Sequence, residues 1–169
     1  MSERRLKVKK ERLETNDSID GLVTRYSEMV YKLAFARTRN RYDADDIFQE
    51  VFMRYIKKRP VFNNKEHEKA WFIKVTVNCS NSLFSSWWQK NTKVLTDDIV
   101  FELPEDQSLF EELGKLPLKY REVVHLFYFE DLSTKEIAII LGRKESTVRT
   151  QLTRARQNLK AFIKEEDDV

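Results

Sequence analysis

Apolar side chains recur at steps of three and four through most of this chain, and turn-forming residues stand where the pattern lapses. From about Ile19 to Arg37 the spacing puts Leu22, Tyr26, Met29, Val30 and Leu33 on one face, which predicts an amphipathic helix. The basic-to-acidic turn "RTRNRYDADD" comes next, and a second helix is predicted from about Asp43, with Ile47, Val51, Phe52, Tyr55 and Ile56 facing inward. Asp43, Asp45 and Asp46 would sit in its first turn, where negative charge complements the helix dipole. A third segment, "EHEKAWFIKVTVNCSNSLFSSWWQKN", predicts about six turns of helix with Trp71, Val75 and either Phe72 or Ile73 inward. Its terminal pair, Trp87 and Trp88, fits a core or an outward contact equally well.

The same reading applies after residue 108. A helix starting behind Pro117 offers Tyr120, Val123, Val124, Phe127 and Tyr128 to a core, with His125 as packing among them. Ser133 followed by Glu136 has capping-box spacing, so a short helix starts there, turns Ile137, Ala138 and Leu141 inward, and stops at Gly142. Another begins near Glu145, where Val148, Leu152, Ala155, Leu159 and Phe162 are spaced at steps of four, three, four and three. Its opposite face gathers Ser146, Arg149, Thr150, Thr153, Arg154 and Arg156, side chains suited to phosphates and base edges. Two helices around a glycine-containing turn, the second basic on its outer face, form a helix-turn-helix pattern.

Composition agrees with the periodicity. Three glycines and three prolines in 169 residues disfavour turn-rich β architectures, and 41% apolar side chains suffice for one ordinary core or two small ones. The expected fold class is all-α, two small helical domains joined by an acidic linker. A net charge of +3 conceals the division: residues 96–112 carry seven acidic and no basic side chains, while 16–95 and 113–163 are each net +5. The expected organisation is a basic mobile arm at 1–18, a helical domain at 19–95, a linker at 96–108, the helix-turn-helix domain at 109–163 and an acidic tail at 164–169.

Catalysis is not indicated. One cysteine, Cys79, and two histidines, His67 and His125, are too few for a metal cluster, and no Gly-rich phosphate loop or nucleophile-base pair is recognisable. The expectation is no cofactor and no metal. No secretion signal or bilayer-spanning stretch is recognisable, so a cytoplasmic protein without membrane insertion is expected.

"LPLKYREVVHLFYFEDLSTKEIAIILGRKESTVRTQLTRARQNLK" resembles the C-terminal DNA-binding domain of bacterial RNA polymerase sigma factors, particularly the extracytoplasmic-function group. The resemblance implies reading of the −35 promoter element, with contacts from Lys144, Ser146, Thr147, Arg149, Thr150, Thr153 and Arg154. Arg143 stands where that family usually has an apolar residue, and Lys144 where a capping Ser or a Pro is common. "DADDIFQEVFMRYIKK" resembles the sigma segment that grips the clamp helices of the polymerase largest subunit, which implies contacts from Asp46, Gln49 and Glu50. The third helix resembles the one that captures the melted −10 element. By that likeness Phe62, Asn63, Asn64, Lys65, Asn78 and Trp88 would meet unpaired bases; the usual arginine cluster at its end is reduced to Lys90 and Lys93. The implied partners are RNA polymerase core, promoter DNA and an anti-sigma factor. The alternative is a free-standing helix-turn-helix regulator, for which no dimerising heptad seam is visible.

Overall fold

The computed structural model describes residues 18–90 and 107–167, with side chains for 18–86 and 111–164. The expected linker up to residue 106 and nearly all of the basic arm lie outside these residues, as do Lys93, the side chains of Trp87, Trp88 and Lys90, and most side chains of the acidic tail; residues 107 and 108, expected in the linker, already belong to a helix. Every regular element among the described residues is helical.

Helix α1 (Ile19–Thr38) is capped by Ser18, whose hydroxyl accepts from the Gly21 amide, and ends at Arg39 in the left-handed region. Helix α2 (Arg41–Lys58) starts two residues earlier than its acids suggest, because Asn40 Oδ1 accepts from the amides of Tyr42 and Asp43. The cap therefore leaves only Asp43 of the three aspartates in the first turn. Asp43 is also buried, and burial followed by the neighbouring Asp46 charge raises its carboxyl pKa. Helix α3 (Lys65–Lys90) has 26 residues, and both Phe72 and Ile73 are fully buried in it, whereas Trp71 is half-buried. Tyr26, Phe52 and Tyr55 pack around Phe72, with ring centroids 4.5–5.6 Å away. Glu68 is buried in this helix, and Tyr26 and Arg25 supply the partners that a buried carboxylate needs by donating to its Oε1 at 2.8 and 2.9 Å.

Helices α4 (Gln107–Lys115) and α5 (Leu118–Val124) lead into a wider π-turn, His125–Phe129, closed by the Glu130 amide bonding to the His125 carbonyl. The extra residue in this turn rotates the side chains at its C-terminal end away from their α-helical positions. Leu126 and His125 are buried, while Tyr128, expected inside, is 51% exposed. Helix α6 (Thr134–Leu141) carries the reciprocal Ser133–Glu136 capping box, and Gly142 ends it at φ +64°. Helix α7 (Glu145–Asp167) buries Val148, Leu152 and Ala155 completely, with Leu159 and Phe162 partly covered behind them.

The two helical bodies pack on each other. Leu33, Ile73 and Val77 from α1 and α3 join the apolar cluster formed by α5, α6 and α7. Across the seam Arg37 donates to Glu122; on its own side Arg37 also donates to Asn81 Oδ1 at 2.6 Å, and on the far side Arg143 donates to the other Glu122 oxygen. Arg121 bonds the Ala36 and Arg37 carbonyls at the end of α1, and Arg39 reaches the Gly114 carbonyl at 2.6 Å. A Cβ at Gly114 would collide with the Arg39 guanidinium, so a side chain there would have to push this flexible group aside.

Candidate nucleic-acid and protein interfaces

Three outward faces carry the residues singled out by sequence. The first belongs to α7. Its buried stripe fixes the helix rotation, so Ser146, Thr147, Arg149, Thr150, Thr153 and Arg154 are all exposed, as is Lys144 in the preceding turn. This set is brought together as expected, but its members differ in readiness. The Arg149 side chain is 68% exposed and holds Glu145 Oε1 at 2.8 Å, so that carboxylate competes with DNA for the guanidinium. Glu145 is kept below the usual carboxylate range, chiefly by the Thr134 hydroxyl and then by Arg149. Thr150 and Thr153 spend their hydroxyl protons on the carbonyls of Ser146 and Arg149, which leaves them as acceptors and methyl contacts. Arg156 does not belong to the face. Its Nε donates to Tyr128 Oη at 2.7 Å and its guanidinium lies over the Phe127 and Tyr128 rings.

The second face is on α2. Asp46, Gln49 and Glu50 are exposed, with Glu50 holding Arg54 at 2.7 Å. Ile56 is 39% exposed rather than buried, because Phe52 and Tyr55 already fill the space above Phe72. Its exposure completes a stripe that periodicity had divided wrongly. Tyr42, Asp46, Gln49, Met53 and Ile56 are spaced at steps of four, three, four and three, and all are open to solvent. A mixed polar and apolar stripe at heptad-like spacing on an uncovered helix is the complement of another helix, or of a helical hairpin.

The third face runs along α3 and the loop before it, and here the expected pocket separates. Phe62 is only 4% exposed, with its ring against His67 and Trp71, so neither ring face is free to stack on a base. Asn64 caps α3 by accepting from the His67 amide, while the Asn63 amide donates to His67 Nδ1. Both asparagines and Lys65 are exposed. Asn78 is exposed too, yet it stands thirteen residues beyond Lys65 on one helix, about 20 Å away at 1.5 Å per residue. The loop and Asn78 therefore cannot line one single-base pocket. Around Asn78 the open positions are Lys74, Asn81, Ser82 and Ser85, a polar strip that hydrophobic periodicity leaves unremarked. His125, the packing histidine, is buried against Phe129 and 3.5 Å from Glu130. No helix among the described residues is long and apolar enough to cross a membrane.

Residues 22–89 match the family model for sigma-70 region 2, and residues 102–159 the model for sigma-70, region 4. The chain is 32% identical over 152 residues to the RNA polymerase sigma factor SigV of Bacillus subtilis, covering 86% of this chain and 90% of that one. It is 31% identical over 160 residues to the extracytoplasmic-function sigma factor SigM of the same organism, covering 86% and 94%. Among solved structures, the sigma factor RpoE in complex with the anti-sigma factor NepR from Bartonella quintana superposes at a TM-score of 0.71, with 19% identity over 84% of this chain and 94% of that one. CnrH in complex with the cytosolic domain of CnrY superposes at 0.64, with 21% identity over 95% and 97%. Both share the fold.

Proposed function

Because the chain belongs to the sigma-70 family, in its extracytoplasmic-function group, and so acts in promoter-specific transcription initiation with RNA polymerase, we propose how its faces divide that task. Members of this family are initiation factors rather than catalysts, and this chain works by binding alone, in the cytosol and without a cofactor. Helix α7 enters the major groove of the −35 element, with Arg149 and Arg154 as hydrogen-bond donors and Ser146, Thr147, Thr150 and Thr153 as shorter contacts. Lys144 lies at the mouth of the groove, where a phosphate passes. Helix α2 docks through Asp46, Gln49, Glu50, Met53 and Ile56 onto the clamp helices of the polymerase largest subunit, its acids meeting basic groups while its apolar positions fill the seam.

The polar strip of α3 around Asn78 receives one part of the melted −10 strand. Asn63, Asn64 and Lys65 receive another, about three nucleotides away at an extended spacing. Phe62 supports this loop from beneath and does not stack. The solved neighbours RpoE and CnrH were each captured with an anti-sigma protein or its domain, and we extend a partner of that class to this chain.

The observation that carries the reading is the rotation of α7: Val148, Leu152 and Ala155 lie inside and a hydroxyl-rich, basic face lies outside on one helix. Retention on immobilised RNA polymerase core is the test. The unmutated chain is expected to be retained, and Asp46→Arg or Met53→Glu to be released with unchanged helical content. A chain that core polymerase never retains would contradict the proposal and favour a free-standing regulator.

A further inference from the structure

Between α5 and the first three turns of α7 lies an open groove of about 270 Å³, lined by Lys119, Tyr120, Ser146, Thr147, Thr150, Gln151 and Arg154. Its chemistry is one-sided. The Lys119 ammonium stands 5.0 Å from the Tyr120 ring centroid and forms no ion pair among the described residues. Arg154 faces the groove from the other wall, also without a carboxylate. The hydroxyls of Ser146 and Thr147 are exposed and have no intramolecular partner among the described residues. Gln151 has committed its carbonyl oxygen to Arg143 at 3.1 Å, which leaves its amide N–H groups to point elsewhere. No acid lines the groove, and Thr150 is the member whose proton is already engaged.

The lining brings two cations together with hydroxyl and amide donors and no carboxylate. Elsewhere several exposed or half-exposed cations sit beside a carboxylate: Arg25 with Glu68, Lys32 with Glu28, Arg54 with Glu50, Lys69 with Glu130 and Arg149 with Glu145. Two unneutralised cations facing each other across a cleft walled by hydroxyl and amide donors make a site for a tetrahedral oxyanion. The groove adjoins the exposed face of α7, so an anion held there lies beside whatever duplex that face reads.

We propose that this groove seats one backbone phosphate of the upstream promoter duplex, and that Lys119, outside the helix-turn-helix, is a phosphate-contacting residue that fixes the depth and register of α7 in the groove. The inference rests on the reading of α7 as the duplex-binding helix. Lys119 contributes charge that carries no sequence information, Arg154 closes on the same phosphate from α7, and the Ser146 and Thr147 hydroxyls complete its shell. Gln151 links the site to Arg143, so the residue departing from the family pattern after Gly142 holds one wall of the groove in place.

The test uses the full chain assembled with RNA polymerase core, on a promoter duplex selected from a random library by that same holoenzyme. Affinity is measured between 50 and 200 mM salt for the unmutated chain and for Lys119→Ala, Lys119→Arg and Arg149→Ala. Lys119→Ala is expected to lower affinity about eightfold at 0.1 M salt, the worth of one released counterion, and to flatten the slope of log affinity against log salt by about one. The loss should be equal on selected and scrambled duplexes, and Lys119→Arg should retain the slope. Replacing single phosphates by neutral methylphosphonates should identify one position whose neutralisation weakens the unmutated chain but not Lys119→Ala.

An unchanged slope for Lys119→Ala, alongside a clear loss of selectivity for Arg149→Ala, would overturn the inference and leave α7 as the reader. Indifference to both substitutions would sink the reading of α7 itself. Loss of retention on core polymerase by Lys119→Ala, with DNA affinity restored at saturating core, would reassign Lys119 to the polymerase and also overturn the inference.

Discussion

Glu122 is a carboxylate with two guanidinium groups on it and almost no water. Arg37 reaches it from α1 and Arg143 from the turn after α6, and the side chains of Glu122 and Arg37 are each 2% exposed. A buried pair gains little over a well-packed apolar substitute, but removing one member strands the other charge. Glu122→Gln is therefore expected to destabilise the chain by about 3 kcal/mol, read as a lower urea midpoint. At the surface the logic reverses. Glu145 restrains Arg149 in an exposed pair of small intrinsic worth, so Glu145→Ala should leave stability nearly unchanged while tightening DNA binding, checked by holoenzyme titration. Asp43 behaves differently again, since its raised carboxyl pKa makes its charged form a cost to the folded state. That cost is present near neutral pH and relieved as pH falls through the folded pKa toward the ordinary carboxylate range. Asp43→Asn should accordingly raise the thermal midpoint at pH 7 and abolish this part of the acid-side gain.

At the scale of the element, the helix-turn-helix was legible because three local signals coincide. The capping box starts α6, Gly142 ends it in a conformation other residues resist, and the four-three stripe sets the rotation of α7. Ser133→Ala should cost about 1 kcal/mol, measured by chemical denaturation. Glu136 is held below its usual pKa, first by the Ser133 amide and then by the Ser133 hydroxyl. Its stabilisation is thus complete above the ordinary carboxylate pKa and fades as pH falls through the lowered value, a dependence that Ser133→Ala should weaken.

Where the sequence misled, the cause was a geometry that spacing alone does not encode. The π-turn at His125–Phe129 adds a residue and throws Tyr128 outward, where it anchors Arg156. On α2 both Ile56 and Phe52 fit an inward period, and only the space already taken by the rings around Phe72 decides between them. The resemblance alone assigns Phe62 to unpaired bases; three-dimensional packing against His67 and Trp71 turns it inside. The interfaces between helices leave no periodic trace, so nothing in the spacing singles out Glu68 and Glu122, whose partners stand 21 to 85 residues away.

The whole molecule has its two bodies closed on one seam, and that seam is crowded with like charge. Arg37, Arg39, Arg121 and Arg143 converge there around Glu122, and burial, followed by Arg39 and Arg37, disfavours the Arg121 charge. A compact chain of this length is roughly 40 Å across. Two elements named for positions −35 and −10 are about 25 base pairs apart, roughly 85 Å along duplex DNA. On the proposed assignment of α7 and α3 the closed form cannot hold both, so the seam is expected to part on the promoter. Energy transfer between dyes at Glu28 and Lys160, exposed positions outside the proposed interfaces, is expected to fall when holoenzyme binds promoter DNA, and Arg37→Ala should lower it in the free chain.

The division of labour between α7 and α3 is tested most directly by transcription from a library of random promoters with purified core polymerase. The unmutated chain should yield transcripts from templates sharing two separated sequence blocks, with Arg149→Ala relaxing preference at about one position of the upstream block, worth about 1–3 kcal/mol, and leaving the downstream block intact. Asn78→Ala should do the converse. Transcripts no more selective than those of core polymerase alone, or an Arg149→Ala pattern altered only downstream, would contradict the account.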